Sequence, residues 1–417
     1  IVQLRDRSMT SWAIILDIVV LLSSCLVIGG LFTRFGQNPL VGYLIAGAML
    51  GGFNLVQSRE AIESIAELGV ALLLFGLGLE FSWARIKSFG SSALLSGVLQ
   101  IVITSTVATL AAIYFNLPTI EAIAFGAMVA LSSTACVLRV LTDTRELDSI
   151  HGRNAISILL VQDMAVLPLA ILMTVLSGEG TFQTIATDIV QTLFATLAMI
   201  GTLYLVLNKL AVLVLGHLTL ERNRELTVLL AVATGLGATW ASHFAGLSPA
   251  LGAFIAGMFL GSSPYATQIR ADVSSLRVVL LTLFFGSVGM IADPVWIFNN
   301  FGLVFLTTSL LIVGKTLTVW TILRFFGQSH SMSIATGLSL AQIGEFAFVL
   351  GAIGRGNNVI SEHLYSVIIS CTIFSLLLTP YLLALAPRIG VFIEHLFKKG
   401  KTLTSNSATE DIRHQPD

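Results

Sequence analysis

Pro39-Leu-Val-Gly42-Tyr-Leu-Ile45-Ala46-Gly47-Ala-Met-Leu50-Gly51 returns 210 residues later as Pro249-Ala-Leu-Gly252-Ala-Phe-Ile255-Ala256-Gly257-Met-Phe-Leu260-Gly261. Proline, glycine and apolar positions coincide without a gap, and further on Leu73, Phe75 and Gly76 map onto Leu283, Phe285 and Gly286 at the same offset. Apolar matches arise easily by chance; glycine and proline matches at one fixed spacing do not, and they mark an internal repeat. The surrounding chain is 55% hydrophobic and only 11% charged, with a mean hydropathy of +0.90. An ordinary soluble domain is about 25% charged, so a soluble globule and a disordered chain are both excluded. A net charge of −1 offers nucleic acid no basic field. Cys25, Cys136 and Cys371 stand far apart in apolar stretches, unlike a disulfide framework or a metal cluster. The composition is that of a multi-spanning membrane protein.

Thirteen apolar segments are read along the chain: 12–33, 39–53, 64–83, 89–114, 120–141, 153–176, 183–208, 224–244, 247–262, 276–292, 299–323, 331–354 and 361–386. With thirteen crossings, seventeen lysines and arginines fall on one side of the membrane. Only Arg5, Arg7, Arg59 and Arg355 fall on the other, and Lys315 belongs to no loop. Positive-inside then places the N-terminus outside and the C-terminus in the cytoplasm. The repeat offset shifts the chain by seven crossings, an odd number, so the second copy is inverted. The predicted architecture is an all-α polytopic protein of about 13 transmembrane helices in two inverted six-helix repeats. A membrane domain spans 1–386, with repeat 1 over 12–176, a linker helix over 183–208 and inverted repeat 2 over 224–386. A polar, flexible cytoplasmic tail is expected over 387–417. Inverted repeats are the architecture of secondary transporters, with the site where the copies meet at mid-membrane.

The same offset pairs two polar interruptions, Ala130-Leu-Ser-Ser-Thr-Ala135 and Leu340-Ala-Gln-Ile-Gly-Glu345. One such stretch would suit helix packing by small residues; two at related positions predict a pair of discontinuous helices. Charges inside the crossings are expensive and need a reason. Asp163 stands mid-segment after Gln162, and Pro168 deprives the Met164 carbonyl of its helical N–H. A carboxylate beside a free carbonyl suits a hard cation. Ser132, Ser133, Thr134 and Gln162 are candidate neutral oxygens around it. Lys315, nine residues before Arg324, lies too deep to snorkel and requires a buried anionic or dipolar partner. Glu345 and Asp163 are both open as that partner, and Lys315, Glu345 and Gln342 are assigned to charge balance at the helix breaks. No nucleophile–base pair or metal-ligand cluster points to an enzyme, and no resident cofactor is expected.

Taken together, residues 130–135, Gln162-Asp163, Leu283-Phe-Phe-Gly-Ser-Val-Gly-Met290, Lys315 and Gln342-Ile-Gly-Glu-Phe-Ala-Phe348 resemble the monovalent cation:proton antiporters, closest to the Kef-type potassium/proton branch. The resemblance runs from about residue 12 to 386. It implies a sodium/proton-antiporter-like fold with crossed discontinuous helices, a dimerisation side built from the first helices of each repeat, and a mobile core carrying Asp163. It further implies a homodimer in the bacterial cytoplasmic (inner) membrane, in contact with lipid and not with nucleic acid. The transported ions would be K⁺ (or Na⁺) and H⁺, the cation binding at Asp163 and exchanging by elevator movement. A Na⁺/H⁺ antiporter on the same scaffold and a ligand-gated K⁺ channel are the alternatives; no T-V-G-Y-G-like filter is present. Kef-type proteins usually continue into a regulatory nucleotide-binding domain, and no G-x-G-x-x-G follows residue 386 here. The loop 265–273 holds one acid and one base, unlike the acidic loop of glutathione-gated members.

Overall fold

The computed structural model describes residues 2–53, 56, 59–80, 91–176, 201–202, 205, 224–244, 249–261, 266–292 and 294–413. Helices α1 (Val2–Arg34), α2 (Pro39–Gly52) and α3 (Arg59–Glu80) open the chain. They are followed by α4 (Ser91–Tyr114), α5 (Thr119–Ala130), α6 (Thr134–Asp143) and α7 (Ile150–Val175). The second half comprises α8 (Arg224–Phe244), α9 (Pro249–Gly261), α10 (Ala266–Ile291), α11 (Pro294–Asn299) and α12 (Phe301–Phe325). It ends with α13 (His330–Ser339), α14 (Phe346–Gly356) and α15 (Glu362–Arg413). The fold is all-helical, and among the described residues seven helices are long and apolar enough to cross a bilayer. The expected linker helix, 183–208, lies outside the described residues apart from 201–202 and 205. The stretch from 387, expected as a flexible tail, is helical to Arg413 as the continuation of α15. All three cysteines are free and buried.

Local chemistry sets the helix ends. Asn38 caps α2, its side chain accepting from the Leu40 N–H, with Pro39 at the first turn where no donor is lost. Ser329 caps α13 in the same way through the Met332 N–H. Gly36, Asn116 and Gly327 take left-handed conformations just past α1, α4 and α12, where the chain must turn back.

The helices sort into two groups. One gathers α1–α3 with α8–α10, and the other gathers α4–α7 with α12–α15. Each group therefore takes one part from each half of the sequence. In the first, the repeated short helices are exchanged: α2 lies on α10, and α9 lies on α3. The contact is backbone to backbone. A Cβ on Gly47 would collide with the Gly286 carbonyl and the Gly289 Cα; a Cβ on Gly257 would collide with the Phe75 carbonyl and approach the Gly78 Cα. The corresponding pairs relate Gly78 to Gly289, one residue beyond the spacing of the short helices themselves. The two groups meet through apolar contacts, including Leu167 and Ile171 of α7 on Leu251 and Ile255 of α9, and Phe285 of α10 edge-on to Phe348 of α14 at 5.8 Å.

This packing sets an expected order of stabilities. Gly47→Ala and Gly257→Ala should each destabilise the detergent-solubilised protein by the ~1–3 kcal/mol typical of overpacking, read as a lower thermal midpoint. Gly314→Ala, whose Cβ would meet nothing within 4 Å, should leave it unchanged or raise it, since alanine is the better helix former. Equal midpoints for the three would contradict close packing at α2–α10 and α3–α9.

Candidate ion-binding site

Both polar interruptions break their helices. α5 stops at Ala130, Leu131 is extended, and α6 restarts at Thr134 under a Ser133 cap whose side chain accepts from the Cys136 N–H. α13 stops at Ser339 and α14 restarts at Phe346. The two breaks touch: the Gly344 N–H donates to the Leu131 carbonyl at 3.0 Å, and the Ser132 hydroxyl donates to the Leu340 carbonyl at 2.8 Å. A Cβ on Gly344 would fall 2.6 Å from the Ser132 carbonyl carbon, so glycine permits the crossing.

Four half-helix ends thus converge, two with free carbonyls and two with free N–H groups. Lys315 of α12, 1% exposed, sits at the carbonyl ends. Its Nζ donates to the Leu131 carbonyl at 3.1 Å, the Gln342 carbonyl at 2.6 Å and the Ser132 hydroxyl at 3.0 Å. Its partners are therefore dipolar; neither Asp163 nor Glu345, the two carboxylates considered from sequence, is among them. Glu345 sits at the opposite ends. Its buried carboxyl lies near the Ser133 hydroxyl and the Ala135 N–H at the start of α6, makes no side-chain hydrogen bond capping α14, and leaves Oε2 without a hydrogen-bond partner among the described residues. A cation thus faces the negative ends of the helix dipoles and an anion faces the positive ends. Gln342 contributes its backbone carbonyl, while its buried amide finds no hydrogen-bond partner among the described residues.

Asp163 lies on α7 beside this crossing. The Thr134 hydroxyl donates to its Oδ1 at 2.9 Å. The side chain is half-buried, and it shares a helix face with Leu167 one turn on, which packs on the other helix group. α7 runs unbroken through Pro168, so the Met164 carbonyl has no N–H four residues on to accept from.

The comparisons with known proteins agree with this architecture. The family model described as sodium/hydrogen exchanger, transmembrane, matches residues 20–384. The chain belongs to the sodium/hydrogen exchanger family. It is similar to K(+) efflux antiporter 5 of Arabidopsis thaliana, 34% identical over 91% of this chain and 68% of the relative. It is also similar to the putative cation/proton antiporter YbaL of Escherichia coli, 31% identical over 93% of this chain and 70% of the relative. Among solved structures, the sodium proton antiporter MjNhaP1 from Methanocaldococcus jannaschii aligns with a TM-score of 0.69 at 13% identity, covering 92% of this chain and 98% of that one. The resemblance to Kef-type monovalent cation:proton antiporters and the expected all-helical, sodium/proton-antiporter-like fold are borne out, and family membership makes the chain a multi-pass membrane transporter.

Within this exchanger the residues grouped around Asp163 from sequence divide their work. Thr134 reaches the carboxylate. Ser132 ties the two breaks together, and Ser133 caps α6. Gln162 accepts from the Ser132 N–H at 2.7 Å and donates to Gln100 at 2.6 Å. These three were expected as oxygens open to the ion, and their hydrogen bonds go to the crossing instead. Sequence reasoning passed over Gln100 of α4, which also donates to the Ala130 carbonyl and the Thr104 hydroxyl, each at 3.1 Å. It passed over Ser375 of α15, which accepts from the Ile343 N–H at 3.1 Å. A buried glutamine in an apolar crossing was the available signal.

Lys315→Met should cost the exchanger several kcal/mol of stability, since three hydrogen bonds from a charged donor are lost at ~1.5–3 kcal/mol each. Thr134→Val should cost about 1 kcal/mol. Comparing the thermal midpoints of the two variants checks this; a Lys315→Met midpoint within error of the parent would refute the bracing role.

Proposed function

We propose that the chain exchanges K⁺ for H⁺, cation and proton competing for the Asp163 carboxylate. The observation that carries the reading is Asp163 itself, half-buried at the seam between the helix groups, with the Thr134 hydroxyl on its carboxylate and the unwound crossing beside it. With proton or monovalent cation bound, the residue is neutral and the core can cross. The empty carboxylate resists crossing because desolvating it is expensive. Exchange is then obligatory by electrostatics. Gln162 is uncharged, and both of its amide atoms are engaged, so the site offers one charge and one-for-one electroneutral exchange follows.

A single carboxylate with hydroxyl and carbonyl oxygens suits a monovalent cation better than Ca²⁺, which takes several charged oxygens; no cluster of three or more His, Cys, Asp or Glu lies among the described residues. Potassium is favoured by the similarity to K(+) efflux antiporter 5 and by the low charge of the site. The sorting into two helix groups, only one of which carries the breaks, supports elevator movement of α4–α7 with α12–α15 against a fixed scaffold. That scaffold would hold the homodimer contact, in a bacterial cytoplasmic membrane with the N-terminus outside.

The test is flux in proteoliposomes with a pH dye inside, the voltage clamped, and K⁺, Na⁺ or Li⁺ added outside. Voltage-insensitive proton movement driven by K⁺ is expected, and Asp163→Asn should abolish it. Thr134→Val should raise the half-saturating K⁺ concentration about ten-fold, equivalent to ~1.4 kcal/mol. Proton movement with Na⁺ alone would reassign the cargo. Retained pH-coupled flux in Asp163→Asn would overturn the site, and a voltage-following current without proton movement would indicate a channel.

A further inference from the structure

Between α4 and α12 the core leaves a crevice of about 570 Å³, running from Phe115 and His363 at its mouth to Thr104 and the stem of Lys315. Its walls are largely apolar, and small residues such as Ala108, Ala111 and Gly314 make the space. Protein interiors do not leave voids of this size unfilled, and the mostly hydrocarbon walls offer few places to hold water. Gly314 adds an independent observation. It lies in mid-helix, where glycine costs about 1 kcal/mol relative to alanine, yet a Cβ there would meet no atom of this chain within 4 Å. Val107, Leu306 and Leu310 beside the crevice are each about half exposed, so its open side continues the apolar surface that faces bilayer hydrocarbon. α4 and α12 pack on each other.

We propose that this crevice is a binding site for one acyl chain of a membrane phospholipid, its end lying against the Lys315 stem behind the helix crossing. The volume is in the ~300–1,000 Å³ range of built ligand sites, and the occupant comes from the phase the crevice opens into. The site stands on the membrane reading alone and does not depend on which ion Asp163 carries.

The test uses the full chain in proteoliposomes containing a trace of phosphatidylcholine with a diazirine at mid-acyl chain. After illumination, mass spectrometry should place label on Ala111, Thr307 and Leu311 well above the level on Val98 and Leu317, exposed residues of the same two helices outside the crevice. Gly314→Phe, filling the space from α12, and Ala111→Phe, filling it from α4, should each cut labelling of the remaining crevice residues several-fold. Both should leave Val98 and Leu317 unchanged, and Gly314→Ala should label as the parent does. If one filling variant fails to give a monodisperse protein, the other wall supplies the same readout. Labelling no higher in the crevice than at Val98 and Leu317 would mean annular lipid only. Labelling indifferent to both fillings, or disulfide-linked dimers through Leu310→Cys, would also overturn the proposal.

Discussion

Two helices interrupted in mid-membrane leave backbone carbonyls and N–H groups that lipid cannot satisfy, and each unsatisfied group would cost several kcal/mol. The rest of the core is arranged around that debt. Lys315 binds the carbonyl ends through Leu131 and Gln342, Glu345 faces the N–H end at Ala135, and Ser132 joins the two breaks through Leu340. Each of the two charged residues stands at helix-dipole ends of the sign opposite to its own charge, with no direct ion pair between them.

The frame is also rigid. Gln100 on α4 donates to Gln162 on α7 and to the carbonyl end of α5, and Gln162 in turn accepts from the Ser132 N–H. Ser375 on α15 holds the other break at Ile343. Helices from both halves of the sequence are thereby locked into one body, whereas contact with the α1–α3 and α8–α10 group is chiefly apolar. Apolar seams slide at lower cost than buried hydrogen bonds break, so the proposed elevator movement would divide the molecule along this boundary.

Much of this was legible in sequence wherever a residue type carries a mechanism. Proline and glycine at fixed spacing exposed the repeated short helices, and the polar runs at 130–135 and 340–345 exposed the breaks. The partner of Lys315 was not legible, because every residue owns a carbonyl and nothing in the letters marks Leu131 or Gln342 as the ones left free. The roles of Ser132, Ser133 and Thr134 were not legible either. Three consecutive hydroxyls in an unwound segment point in three directions, and only the backbone path decides that it is Thr134 whose hydroxyl donates to Asp163. The continuation of α15 past Pro387 escaped because a polar composition was taken to mean a loose chain, whereas Ile389 and Ile393 pack beside α13 and Glu394 accepts from the Ser331 N–H.

The repeat also bears on why there is one candidate site and not two. At the offset of 210 residues that relates the short helices, Asp163 corresponds to Ile373, and at the spacing one residue longer seen between Gly78 and Gly289 it corresponds to Phe374. Ile373 is buried and Phe374 packs beside the main core; neither can bind a cation. The second break has likewise exchanged the hydroxyls of Ser132 and Thr134 for Gln342 and Gly344, and Ala135 for Glu345. The crossing needs both breaks, since each supplies a donor and a carbonyl acceptor to the other. In the proposed reading the first break carries the chemistry of a ligand and the second the chemistry of a counter-charge. Under the proposed exchange at Asp163, one ionisable carboxylate would keep the core neutral in either occupied state, whereas a second at the Ile373 position would add an uncompensated charge to each crossing.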